Sequence, residues 1–442
     1  MALGVEASVE AVEVEAFATK IPSLIPRSNT FYSLAQDRFN KVPVSFQTIA
    51  GTTVRPSFRV PFRAQGGAFV SQGTGNGDSL GRGNQSVWGD FALSPVWHYA
   101  VCESTTLAQL AVAGKDRGKI SLKAEELKNS LDSSMAGLEG LMYGDSSGAI
   151  TQIPSTATVS SNSGTGNQTS YISGVRAMAF TDNQIVQFFP SEGGTSRGTA
   201  TISVIQPETS TLWFSTVLPS TGGATAVGDY IMIAGASGAL NQGIFGTTAW
   251  INSATTGTIA GYNRATYPGR VSSPSINLDG APIVASFAQR VEALLGRTMG
   301  ADNKTKDSGI YIVPEDQAYA IAQTNYFNKQ ITQNSDESGS KKVPDTARKY
   351  FQGTFGGRDA RVSYVQPVGR LDLLLTDDWT IGELLGLRLH DYGNGQTTVP
   401  VPDPGGNGWL TSSQFAYVCS FNIACSAPRH QLYVYGAAQP VI

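Results

Sequence analysis

The sequence predicts an α+β protein with far more strand than helix, and three observations carry that reading. Glycine is abundant, with 49 in 442 residues set among many Ser, Thr, Ala and Asn, while Lys, Arg, Asp and Glu together make only 15%. That mix belongs to strands and turns more than to helical bundles or charged, disordered chains. One long stretch, residues 121–143, carries a one-sided apolar stripe at helical spacing, and residues 283–327 read as helix, strand, helix before strand patterns return. A chain of this length buries a substantial core, in two or three domains or in one elaborate domain with arms.

In chain order, residues 1–48 read as an extended arm with one short helix, because Pro22 and Pro26 break any longer one. Strand patterns follow at Val42–Ile49 and Val54–Phe62 around a turn at Gly51, with Arg55, Arg59 and Arg63 alternating with apolar positions as on a ribbon with one solvated face. A glycine-rich stretch, residues 66–89 with Arg82 inside it, leads to strand character at Trp88–Cys102, and the whole predicts a projecting β-hairpin. The helix over 121–143 has Ser121 as N-cap, Glu125 and Glu126 in its first turns, the stripe Leu127, Leu131, Met135, Leu138 and Met142, and Gly144 as its stop. It should pack lengthwise on a sheet.

Short strands then dominate residues 151–270, among them Gln184–Phe189, Thr199–Ile205 and Tyr230–Ala234. Phe287, Val291, Leu294 and Leu295 mark the next helix, Ile310–Val313 a strand, and Pro314 the opening of a second helix. Asn334–Lys342 reads as a solvent loop, and the chain ends in strands at Arg361–Val365, Leu371–Leu375, Phe415–Cys425 and Gln431–Tyr435.

Composition also excludes function classes. A formal charge of −3 provides no basic field to draw the chain onto nucleic acid, although a wall around DNA needs none. Cys102, Cys419 and Cys425 are too few for a disulfide framework; Cys419 and Cys425, on one strand face roughly 20 Å apart, read as small buried hydrophobes in a reducing cytosol. The N-terminus carries Glu6, Glu10, Glu13 and Glu15 before its first cation, Lys20, unlike a signal peptide, and no apolar run approaches the ~20 residues that span a bilayer.

The search for chemistry returns little. Gly144-Asp-Ser-Ser-Gly148 matches the Gly-x-Ser-x-Gly of nucleophile elbows, but it follows a helix where an elbow follows a strand, and His98, His390 and His430 all lie in strand-like segments. A turn is the better reading. The glycines of 73–83 lack both dinucleotide and P-loop spacing, no histidine or cysteine pair has metal-ligand spacing, and Asp377-Asp378 reads as a turn before Trp379. No catalytic, cofactor-binding or metal-binding residue is therefore assigned, and no cofactor is expected.

The order of parts resembles the major capsid proteins of tailed phages, which share the Hong Kong 97-type fold of arm, extended loop, spine helix and axial α/β domain. In residue detail the likeness rests on Gly137-Leu-Glu-Gly-Leu-Met-Tyr-Gly-Asp-Ser-Ser-Gly-Ala149, where the spine helix gives way to a loop, and on Gly309-Ile-Tyr-Ile-Val-Pro-Glu-Asp-Gln-Ala-Tyr-Ala320. The resemblance implies an N-terminal arm at 1–48, an extended loop at 49–95, and a peripheral domain at 96–150 with its spine helix at 121–143. It further implies a β-rich elaboration at 151–270, an axial domain at 271–400 and C-terminal strands at 401–442. Some members crosslink the extended loop through a lysine; with no lysine between Lys41 and Lys115, none is expected to start from this loop.

What the resemblance implies for function is a non-catalytic subunit that forms pentamers and hexamers of an icosahedral shell around double-stranded DNA, assembled in the host cytoplasm. Portal and scaffold or decoration proteins of the same phage would be its partners, with no membrane. Arg55, Arg59, Arg63 and Arg82 are the candidate inter-subunit contacts, against the plainer reading that they only solvate a ribbon. Two rival readings are an encapsulin-type compartment, told apart by protein cargo, and a β-rich adhesin or glycan-binding protein, told apart by particle size.

Overall fold

The computed structural model describes residues 30–49, 53–65, 86–105, 122–161, 170–190, 194–234, 243–281, 283, 285–299, 309–315, 317–318, 354–355, 358–367, 369–393, 395–402 and 409–437. The arm before Thr30, the glycine-rich stretch 66–85 with Arg82, the stretch Asn334–Lys342 and most of the helix expected after Pro314 lie outside them.

The first part of the chain holds α1 (Thr30–Arg38), β1 (Asn40–Pro43), β2 (Ser45–Ile49), β3 (Thr53–Gln65), β4 (Val87–Leu93), β5 (Val96–Thr105) and the long helix α2 (Leu122–Met142). Seven short strands follow: β6 (Thr151–Gln152), β7 (Val159–Ser161), β8 (Ser170–Ser173), β9 (Ile185–Phe189), β10 (Gly198–Gln206), β11 (Thr211–Phe214) and β12 (Tyr230–Ile233). Next come the one-turn helix α3 (Thr247–Trp250), β13 (Thr258–Ile259), β14 (Tyr262–Asn263), α4 (Pro268–Val271), β15 (Ser275–Asn277) and α5 (Ala285–Met299). The last strands are β16 (Gly309–Pro314), β17 (Thr354–Phe355), β18 (Arg358–Ser363), β19 (Leu371–Leu375), β20 (Trp379–Leu389), β21 (Val399–Pro402), β22 (Trp409–Cys425) and β23 (Leu432–Tyr435).

Two sheets build the body. In one, β22 is the long central strand, with β20 and β21 along one edge, β5 along the other, and β1 parallel to β20. Helix α2 lies on β5 of this sheet. The other is a mixed six-stranded sheet, β15-β23-β19-β16-β18-β17. Its strand β16 is buried on both faces, as a hydrophobic run in a sheet interior requires. Ile310 and Ile312 face the main core, and Tyr311 and Val313 face a second core where Phe287, Val291 and Leu295 of α5 pack. Pro314 ends β16, opposite Ser363 of β18, and does not open the helix; helical residues begin at Glu315. An extended φ suits proline as well as a helical one, so the parallel pairing decides its place.

Residues 151–234 form a separate antiparallel sheet, β6-β12-β9-β10-β11-β8-β7. Its inward residues Ile172, Val186, Phe188, Ile202, Leu212, Phe214 and Ile231 alternate with outward ones and join the main core. Helix α1 is tied to α2 at one buried carboxylate: Glu139 accepts bonds from the Phe31 N–H (3.3 Å) and the Ser363 hydroxyl (2.7 Å), while the rings of Phe31 and Tyr143 stack at 5.1 Å.

Candidate assembly surface

The β2-β3-β4 sheet stands apart from the others in its pairing but not in its packing. Strand β2 pairs with Thr53–Ser57 and β4 with Phe58–Gln65, so each half of β3 is paired along one edge and tolerates Pro56 and Pro61. The expected second strand at Trp88–Cys102 is two strands, broken at Ser94-Pro95: β4 stays with the hairpin, while β5 crosses to β22. Pro95 cannot donate a ladder hydrogen bond, which is why the pairing changes partner there.

One face of the hairpin is core. Phe58, Val60, Phe62, Phe91 and Leu93 are buried; Phe62 stacks on Phe91 at 4.2 Å, and both rings meet Tyr262 edge-on. Each such ring contributes about 1.5–3 kcal/mol by leaving water. The anchor is tighter still at Gly382 of β20, where a Cβ would stand 2.2 Å from Phe58, so only glycine admits that ring. The hairpin is rooted in the body.

The other face is solvated. Arg59 makes an ion pair with Asp90 on the neighbouring strand (2.8 Å), with side chains 59% and 41% exposed. Arg63 donates to the Ser86 hydroxyl at 3.2 Å. Arg55 lies in the β2-paired half of β3, opposite Gln47, and Arg82 lies outside the described residues. Of the four candidate arginines, two are therefore seen engaged within their own hairpin, in contacts that exposure limits to about 0–1 kcal/mol each.

Sequence reasoning passed over a second feature, exposed aromatic and aliphatic side chains on β5, β2 and β4. Trp97, Tyr99 and Val101 occupy the outward face of β5 at 47%, 60% and 57% exposure, the two rings stacked 6.1 Å apart. Phe46 on β2 and Trp88 on β4 are 69% and 67% exposed. A row of large apolar side chains like Trp97, Tyr99 and Val101 on one strand face is characteristic of interaction surfaces. The alternation Trp97, Tyr99, Val101 was visible in the sequence, but alternation alone does not say which face is covered.

The catalytic motif resolves as a packing junction. Ser146 has φ 81°, and its carbonyl accepts from the Gly243 N–H at 3.1 Å. A Cβ on Gly243 would fall 2.3 Å from the Gly148 nitrogen, so the turn and the chain beside it touch backbone to backbone. Among the described residues no hydrogen bond joins Ser146 to a histidine: His430 meets Asp378 at 3.1 Å, His390 packs edge-on to Tyr392, and the Nε2 of His98 has no partner. Asp377 and Asp378 sit in a 3-10 turn before Trp379. Cys102, Cys419 and Cys425 form no disulfide with one another; burial, and secondarily Glu383, pushes the Cys419 thiol up to about 12. No group of metal-ligating side chains is found among the described residues, and none of their helices is long and apolar enough to cross a membrane.

No protein-family model matches the chain, and neither does any curated protein. Solved structures do. The Cyanophage A-1(L) capsid asymmetric unit superimposes with TM-score 0.56 at 11% identity, covering 96% of each chain. The capsid of the native GTA particle (TM-score 0.44, 9% identity, 95% of this chain and 93% of that one) and Gordonia phage Cozz (0.43, 10%, 96% and 90%) also match. The chain has the fold of a phage capsid protein.

Proposed function

We propose that this chain is the major capsid protein of a tailed phage, which self-assembles into the icosahedral head shell around double-stranded DNA. The observation that carries the reading is the likeness to the Cyanophage A-1(L) capsid across 96% of both chains.

In this reading the parts are those of the Hong Kong 97-type fold: the arm 1–48 running beneath one neighbour, the extended loop 49–95 lying over another, and α2 as the spine. Residues 151–270, whose β6–β12 sheet adds its own layer, are the elaboration; 271–400 are the axial domain that meets its copies in pentamers and hexamers, and 401–442 return to the body. Portal and scaffold or decoration proteins are the partners outside the shell lattice, and the chain resides in the virion. Arg55, Arg59, Arg63 and Arg82 serve as polar contacts to a neighbouring subunit.

Deletion of residues 66–89 tests the assignment. The shortened subunit stays folded by circular dichroism, because the hairpin's buried face lies mostly outside the deletion, and it fails to close shells by electron microscopy. Normal particles from the deletion variant would sink the loop assignment.

A further inference from the structure

A cavity of about 580 Å³ opens where the end of α2 meets the β6–β12 sheet, between Tyr143 and Asp145 on one side, Arg176 and Tyr230 on another, and Thr248 and Arg370 on the third. Its two arginines are not equivalent. Arg370 is fully engaged: it donates to the Asp372 carboxylate at 2.8 Å, the Thr248 hydroxyl at 3.2 Å and the Ile251 carbonyl at 3.1 Å, and lies 4.7 Å over the Tyr433 ring. Asp372 is wholly buried, and burial raises its carboxyl against the opposing pull of Arg370.

Arg176 has one bond, a long one to the Gly140 carbonyl at 3.4 Å, and no carboxylate within ion-pair distance among the described residues. The nearby carboxylate, Asp145, turns one oxygen to the N–H (3.0 Å) and hydroxyl (2.5 Å) of Ser147. Burial first, and then the like charge of Arg370, bring the Arg176 guanidinium down to about 10, with Asp145 and Tyr143 opposing the shift. A guanidinium carries five donors, and Arg176, half-buried at the cavity wall, has no carboxylate at ion-pair distance to take them among the described residues. Arg176 has four donors to spare and a cavity beside it.

We propose that this cavity is a binding site for a single small oxyanion, held chiefly by Arg176 with Arg370 as the second positive charge. The planar guanidinium fork matches an oxyanion in two-point contact. The volume admits a phosphate or one carboxylate side chain and excludes a nucleic-acid duplex. The oxyanion has two sources: free solute, or a glutamate of the acidic segment that holds Glu6, Glu10, Glu13 and Glu15. The proposal stands on the cavity alone and does not require the shell reading.

Inorganic phosphate is titrated by calorimetry into the full-length chain, into Arg176→Met and into Arg176→Lys. The expected result is saturable 1:1 binding to the unaltered chain, at least tenfold weaker in Arg176→Lys and absent in Arg176→Met, with a phosphate-dependent rise in melting temperature only where binding is seen. A synthetic peptide of residues 1–20 is then added to the phosphate complex. Displacement of phosphate assigns the oxyanion to the chain's own glutamates, and no displacement assigns it to solution. No saturable phosphate binding by either the unaltered chain or a variant with Glu6, Glu10, Glu13 and Glu15 all changed to Gln overturns the proposal, as does equal binding by the unaltered chain, Arg176→Lys and Arg176→Met; binding by the glutamine variant alone assigns the oxyanion to the chain's own glutamates. If Arg176→Met does not fold, equal affinity of Arg176→Lys and the unaltered chain overturns it.

Discussion

Glu139 shows at the scale of one residue how a polar group holds three parts of the chain together. It is fully buried on α2, and its carboxylate receives the Phe31 N–H of α1 and the Ser363 hydroxyl at the end of β18. Glu139→Ala leaves both donors without that acceptor and opens a small void, so it should lower the stability of the subunit by about 2–4 kcal/mol in urea unfolding. Ser363→Ala, which removes one donor, should cost about 1 kcal/mol. His98 supplies the pH dependence. Burial depresses its imidazole to about 4 from an ordinary 6.5, so between those values the unfolded chain binds the proton that the folded chain refuses. Its contribution is therefore complete above pH 6.5 and is lost as pH falls towards 4, by up to about 3 kcal/mol. In chemical denaturation at several pH values, His98→Phe should flatten this part of the profile; an unchanged slope would show that other groups carry it.

At the scale of the element, the hairpin depends on a glycine far away in sequence. Gly382→Ala places a methyl group against Phe58 and should cost about 1–3 kcal/mol as an overpacking change. Phe58→Ala should cost about 3–5 kcal/mol by leaving a cavity. Combined, the two should cost less than their sum, because the alanine at 382 enters the space the ring has left. An additive double-mutant cycle would mean that Phe58 and Gly382 do not share that contact. Strand β5 shows the complementary case, a face left uncovered. Trp97→Ser with Tyr99→Ser should leave the melting temperature within a few degrees of the parent, since both side chains are already largely in water. In the shell reading the same pair should abolish or sharply slow particle formation by light scattering.

For the whole molecule, the stability of one subunit rests on its buried core and not on its exposed aromatic side chains. The main core runs continuously from α1 through the hairpin root, the end of α2 and the β6–β12 sheet to β20 and β22, while the exposed aromatic patch contributes little within one subunit. Much of this was legible from local pattern. The stripe from Leu127 to Met142 marks a helix that runs Leu122–Met142, and Leu371–Leu375 reads as a strand and is one, because periodicity and stop residues act within a few positions along the chain. The alternation of Arg59 and Arg63 with Val60 and Phe62 likewise places charges on one face and core on the other. By itself, then, the sequence determined the long helix over Leu122–Met142 and strands such as Leu371–Leu375 and Leu432–Tyr435. Only the tertiary structure decided that β5 leaves the hairpin for β22, that Pro314 closes a strand, that Trp97 and Tyr99 face outward, and that Arg176 shares a cavity with Arg370 with no carboxylate at ion-pair distance among the described residues. Each of those outcomes depends on a partner tens to hundreds of positions away or on which of two equivalent faces another element covers. No local rule encodes such pairings.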